Sequence, residues 1–383
     1  MVLKFPKSRS DWEFDLVGLL AILGESIVSE IVQPLTASRT VFLPRLMPAP
    51  HALIRPSRRK ALPTTSSRGI GVYSPINIQS VPYFAGLIHQ FDLLEPYEFR
   101  EYHVTFSPLG SQSDHDVEKP VATVQTIAPL KLITIGSFLW TAGVLAWAIV
   151  LGDGPAVISI VLVSLASSFH SAASFWKVAP LKFSPSAAVT PGDFIFATHE
   201  GAFIVVKCTG EVLRALYTSE ARCDYVIGGT AYLTLISMGT LLLMMGIVMM
   251  SNCSWDMQVI LGASYLVLNG LYMLYALTPA VNNRDLHWDL SMFDIKCTTT
   301  LLTSSYTRCL WEAIRATRET QWAFKGQFIP DEEAWREWTE KAGIEARDPN
   351  SRWDPEAARD RLMIMRRRGG RGTQAMPILP DDP

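Results

Sequence analysis

The sequence predicts an all-α membrane protein: four transmembrane helices in two hairpins, with a small cytosolic α/β insert and a helical C-terminal tail. Three observations carry that expectation. Four windows of at least 20 residues contain no Asp, Glu, Lys or Arg, and about 20 residues at 1.5 Å rise cross the hydrocarbon layer of a bilayer. The windows come in pairs joined by short turns. Lys and Arg are missing from those turns and gathered elsewhere.

Charged residues are 18% of the 383, against roughly 25% in an ordinary soluble domain, and the deficit is concentrated in the windows. A net charge of −2 argues against a nucleic-acid partner. Five scattered cysteines make no disulfide scaffold.

Residues 1–131 read as a cytosolic N-terminal region, partly disordered. Its start, "MVLKFPKSRSDWEF", lacks a signal-peptide layout because Asp11, Glu13 and Asp15 interrupt it. Asp11 to Leu35 has a short apolar run followed by Glu25 and Glu30, which suits an interfacial helix better than a fifth span. Residues 36–75, rich in Pro, Ser and Arg, read as a mobile linker, with "RPSRRK" (Arg55 to Lys60) as a solvated charge run.

The first hairpin is 132–152 and 155–176. Gly152-Asp153-Gly154 makes its turn, and Pro155 sits at a helix start, where its missing N–H costs nothing. Residues 177–225 form the insert. "GDFIFATHEGAFIVVKC" (Gly192 to Cys208) reads as two strands reversing near Gly201, and "TGEVLRALYTS" as a helix with Thr209 as N-cap. A lone hairpin is marginal in water, so Phe194, Phe196, Phe203 and Val205 need a cover from that helix or from the tail. The second hairpin is 226–250 and 257–280.

The tail, 281–383, holds Trp288, Trp311, Trp322, Trp335, Trp338 and Trp353. Helices are expected over Ser305 to Phe324, in "DEEAWREWTEKA", and in "WDPEAARDRLMIM", where Asp354 caps and Pro355 starts the helix. The tryptophans read as packing residues rather than a ligand cage, and "RRRGGRG" (Arg366 to Gly372) as a solvated end. Five Lys or Arg lie in the insert and 16 follow the fourth span, against none in either turn. The positive-inside bias therefore puts both termini and the insert in the cytosol.

The insert motif "PGDFIFATHEGAFIVVKC", the flanking hairpins and the Trp-rich tail ending in "WDPEAARDRL" resemble a group of multi-pass membrane proteins of filamentous fungi with no assigned activity. The resemblance covers roughly Val124 to Met365. It implies four spans with a cytosolic insert and supplies no functional residues.

Within the spans, His170 and Asn269 form the candidate intramembrane polar site, because ionisable and strongly polar groups there are functional hypotheses by default. The plainer reading is a hydrogen bond to a neighbouring helix, and the Ser- and Ala-rich face around His170 suits close helix packing. Asn252-Cys253-Ser254 is an N-glycosylation sequon on the expected outer side. Cys208 and Cys223 bracket no recognisable metal motif, and Asp193, His199 and Glu200 read as turn residues. Phosphate loops, HExxH, GxSxG and dinucleotide fingerprints are absent. No catalytic residue, metal or cofactor is expected. The leading function is a non-enzymatic structural or partner-docking protein that meets the lipid bilayer, forms a homo-oligomer and takes a cytosolic partner through 177–225 and 281–383. The alternatives are a small-molecule transporter or channel component, and a membrane-bound enzyme or accessory protein of fungal specialised metabolism.

Overall fold

The computed structural model describes residues 25–47, 52–53, 58–107, 119–181, 191–277 and 287–370. In chain order the main elements are α1 (Glu25–Thr36), β1 (Thr65–Gly71), β2 (Asn77–Val81), α2 (Tyr83–His89), β3 (Glu98–Phe106), α3 (Pro129–Leu151) and α4 (Gly154–Ser174). There follow β4 (Phe194–Ala197), β5 (Phe203–Cys208), α5 (Gly229–Ser251), α6 (Trp255–Leu277) and β6 (Phe293–Leu302). The chain ends in α7 (Tyr306–Thr317), α8 (Gln321–Lys325), α9 (Glu333–Glu345) and α10 (Pro355–Gly370). Two units emerge. One is Met1–Leu62, Pro120–Pro180 and Arg222–Leu290; the other is Pro63–Lys119, Leu181–Ala221 and Ser291–Pro383.

The first unit is helical. Helices α3, α4, α5 and α6 are long and apolar enough to cross a membrane. Their outward faces are apolar, unlike those of a water-soluble bundle, and hydroxyls join the apolar residues in the interior. Leu139, Trp147, Met244 and Leu274 are exposed, while Thr134, Ser137, Thr141, Ser159, Ser167 and Ser264 are buried. In water that arrangement leaves a large apolar surface uncovered; against lipid it does not. The closest helix pairing is α4 on α5. There a Cβ at Gly239 would lie 2.7 Å from the His170 ring, and one at Gly246 2.7 Å from Val163. Helices α5 and α6 are joined by a short turn but pack little along each other; α6 instead meets α3 and α1. The two turns are tied together. Asp153 caps α4 by accepting from Ala156 N–H at 3.0 Å, and its other oxygen accepts from Ser254 N–H at 2.8 Å.

Against these helices lies an irregular strap from the N-terminal region. Ser38 caps a 3₁₀ turn, Arg39–Phe42. Leu46 N–H then donates to Thr141 Oγ1 at 2.9 Å. Ser167 Oγ donates to Arg45 O (2.8 Å), Ser168 Oγ to Phe42 O (3.1 Å) and Ser174 Oγ to Leu53 O (2.8 Å). Non-helical backbone among apolar helices must find protein partners, and the hydroxyls of α3 and α4 provide them. The serine face therefore does more than pack helix on helix; of its hydroxyls, Ser159 reaches α5, at Gly246 O (2.9 Å).

Several expectations change. Where a mobile linker is expected over 36–75, the described residues form the strap and then strand β1, residues 48–51 and 54–57 lying outside them. Arg58 of "RPSRRK" donates to Ala173 O and Ile227 O and lies 3.7 Å from the Tyr232 ring. The second apolar helix stops at Ser174, because Trp176–Val178 leaves to pair with Cys223–Tyr225. Of the interfacial helix, residues 25–35 are helical and 11–24 lie outside the described residues.

The chain is not all-α. The second unit is built on a six-stranded sheet, ordered β6-β3-β5-β4-β1-β2. All neighbours are antiparallel except β3 and β5. The small insert is thus the centre of a larger sheet that recruits strands from both ends of the chain. On one face Ile195, Ala197, Phe203, Val205 and Phe99 pack beneath α7, α8, α9 and α10, with Trp311, Trp322 and Trp338 buried there and Trp335 and Trp353 at the edge. The tail is the cover that the hairpin required. Trp288 is elsewhere, in the helical unit, 5.9 Å from Trp176. On the opposite sheet face Phe194 and Phe196 meet Tyr217, on the π-helical stretch Leu213–Thr218, which follows a turn capped by Thr209.

Candidate functional site

The candidate site begins in the strand pattern of the sheet. Strands β3 and β5 run parallel, pairing Phe99 with Phe203, Glu101 with Val205 and His103 with Lys207. Successive side chains alternate faces, so Phe99, Glu101 and His103 share the tail-covered face with Phe203, Val205 and Lys207. Both strands change from apolar to charged along that face. Helix α7 covers the apolar half with Leu310, Ala313 and Ile314. It ends where the charges start: Arg318 takes a left-handed conformation (φ +59°) and its N–H closes the helix on Ile314 O at 2.7 Å.

Beyond that helix end is a cleft of about 480 Å³. Its lining includes Tyr73, Glu101, Asp193, Lys207, Glu312, Arg315 and Arg318. Lys207 Nζ stands 2.7 Å from Glu101 Oε1, and His103 Nε2 lies 3.7 Å from the same oxygen. Glu312, with only 6% of its side chain exposed, has Arg315 at 3.4 Å and Arg308 at 3.5 Å. Burial raises the pKa of Asp193; the Cys208 backbone N–H, Lys207 and His103 oppose this without cancelling it. Burial, and then the nearby Asp193 and Glu319 charges, push the Tyr73 hydroxyl up as well. Among the described residues no three His, Cys, Asp or Glu side chains are grouped to hold a metal. The cleft can hold a polar, charged ligand by ion pairs and hydrogen bonds.

Of the residues singled out from sequence, Asp193 reaches this cleft. His199 and Glu200 do not share a turn with it: strand β4 intervenes, placing them at the opposite end of the hairpin. Glu101, Glu312, Arg315 and Arg318 escaped notice because only folding brings them together. Lys207 carried a signal, since the spacing Phe203, Val205, Lys207 breaks an apolar face at its last position. Cys208 and Cys223 fall in different units and are both free.

The intramembrane candidates are not one cluster. His170 is fully buried at the seam of α4 and α5, with Nε2 3.4 Å from Thr240 Oγ1. Asn269 is buried on α6, which packs on α3 and α1, and its Oδ1 has no hydrogen-bond partner among the described residues. Asn252 is exposed in its turn, where its amide donates to Val248 O at 2.7 Å. The helical unit also holds a buried charged group from outside the charge-free windows. Arg45, fully buried, arrives on the strap, and its guanidinium donates to Val41 O (3.0 Å) and Leu43 O (3.3 Å). No family model, curated protein or solved structure matches the chain.

Proposed function

We propose that the chain is an integral multi-pass membrane protein that works by binding rather than by catalysis, its sheet unit serving as a cytosolic docking module. Chain order carries this reading. The sheet unit is assembled from a segment before α3, a segment between α4 and α5, and a segment after α6. Strands from these three segments share one sheet, so an even number of membrane crossings must separate each from the next. Two helical hairpins crossing and returning satisfy that condition. The hydrogen bond between Ser254 and Asp153 supports turns that lie together on the far side, and the Lys and Arg of the sheet unit support the cytosol as its side. Within the cleft, acids are matched with cations instead of a nucleophile with a base, which favours binding over catalysis.

Cysteine labelling tests the topology. Of the five cysteines Cys297, on β6, is exposed, whereas burial, followed by the Asp153 charge, raises the Cys253 thiol to about 11 and slows its reaction. In membranes sealed with the cytosolic face inward, an impermeant maleimide is expected to label an Asn252→Cys chain at that turn. It should spare Cys297 until the membrane is opened. The opposite pattern, or release of the chain by alkaline carbonate, overturns the reading.

A further inference from the structure

Resting on the reading that the sheet unit binds rather than catalyses, we propose that its cleft takes a small zwitterion, with an ammonium group at Glu312 and Asp193 and a carboxylate or phosphate at Arg315 and Arg318. A space of about 480 Å³ lies in the range of small-molecule sites. Glu101, Asp193 and Glu312 line it together with Lys207, Arg315 and Arg318. With three charges of each sign, a ligand of single charge gains attraction from one set and repulsion from the other. A ligand carrying both charges gains from each.

The charges are also unequally satisfied. Lys207 and Glu101 are in direct contact at 2.7 Å and neutralise each other. Glu312 is more than nine-tenths buried, lines the cleft and makes no hydrogen bond among the described residues; its guanidinium neighbours stop at 3.4 and 3.5 Å. Both guanidiniums meet Glu312 as ion-pair partners without closing a hydrogen bond; buried carboxylates ordinarily accept several hydrogen bonds, and an ammonium group brings three donors. On the anion side, Arg318 is held at the helix end in a left-handed conformation uncommon for residues other than glycine. It forms no ion pair among the described residues, and with Arg315 it presents guanidinium donors suited to a carboxylate or phosphate.

A free amino acid and the phosphoethanolamine headgroup of a lipid share this chemistry. Calorimetric titration of the full chain in detergent tests it with L-alanine and O-phosphoethanolamine, against ethanolamine and acetate as carriers of one charge. At least one zwitterion is expected to bind about tenfold or more tightly than either control. Glu312→Gln and Arg315→Gln should each weaken it by about tenfold, the range for one charged hydrogen bond. Arg315 is exposed, so its variant retains the fold, which is checked by Cys309 staying unreactive to thiol reagents at neutral pH. If nanodiscs containing phosphatidylethanolamine displace the bound zwitterion, the source is a lipid headgroup; if they do not, it is a free metabolite. Failure of both zwitterions to bind, equal binding by the controls, or unchanged affinity in Arg315→Gln overturns the proposal. Any of these leaves the labelling pattern of Cys297, and with it the topology, standing.

Discussion

His89 shows how a single side chain couples this fold to pH. It is fully buried on the sheet face opposite the cleft, with Nε2 2.8 Å from Tyr217 Oη and the rings of Phe91, Tyr102 and Phe196 around it. Burial, and then the Arg100 charge, lower its pKa from 6.5 to about 3. Below pH 6.5 the unfolded chain therefore binds a proton that the folded chain refuses, and stability falls as pH drops from about 6.5 toward 3. The slope approaches about 1.4 kcal/mol per pH unit. Between pH 6.5 and 5 the sheet unit should lose about 2 kcal/mol more than a His89→Gln chain. Hydrogen exchange in the β3 and β5 peptides measures this, and equal losses in the two chains would exclude His89 as the cause. The sequence displays a histidine in an apolar stretch; Tyr217, 128 positions away, is visible only in the fold.

Among the elements, the α4–α5 seam leaves little slack. A Cβ at Gly239 would stand 2.7 Å from the His170 ring and one at Gly246 2.7 Å from Val163, whereas nothing lies within 4 Å of a Cβ built at Gly143 on α3. Gly239→Ala and Gly246→Ala are expected to destabilise the helical unit by about 1–3 kcal/mol each, the ordinary cost of overpacking. Gly143→Ala should leave it unchanged or slightly more stable, since alanine favours a helix over glycine. Melting in detergent checks all three. The α4 helix itself was legible from its charge-free length and from Asp153 and Pro155 at its start. The duty of its serines was not. Hydroxyls that accept or donate to a strap look, in sequence, the same as hydroxyls that let two helices approach.

For the whole molecule, the decisive feature is that both units are discontinuous in sequence. The sheet unit needs its last segment, because α7, α8, α9 and α10 cover Phe99, Ile195, Phe203 and Val205. A chain ending after Ser304 keeps all six strands and all four apolar helices. It should remain in the membrane fraction after alkaline carbonate, while its sheet unit fails to close. Cys208, buried in the full chain and raised to about 12, first by burial and then by the Asp193 charge, should become fully reactive to thiol reagents at neutral pH. Continued protection of Cys208 would mean that the sheet stands without its cover. The same discontinuity explains why the insert read as a small module. Its two strands are contiguous and carry a clear turn signal, while β1, β2, β3 and β6 reach it across long separations that no local pattern encodes.

By itself the sequence determined the four long apolar helices, the turns between them, the caps at Thr209 and Asp354, and the need of the β4–β5 hairpin for a cover. These depend on hydropathy and on hydrogen bonds a few residues apart, which a linear pattern records. Tertiary structure alone decided that strands from three segments form one sheet, that a strap carrying Arg45 lies against the helices, and that three acids and three cations meet at the end of α7. Those outcomes depend on which distant backbone and side-chain groups satisfy one another once buried, and that pairing exists only after the chain has closed.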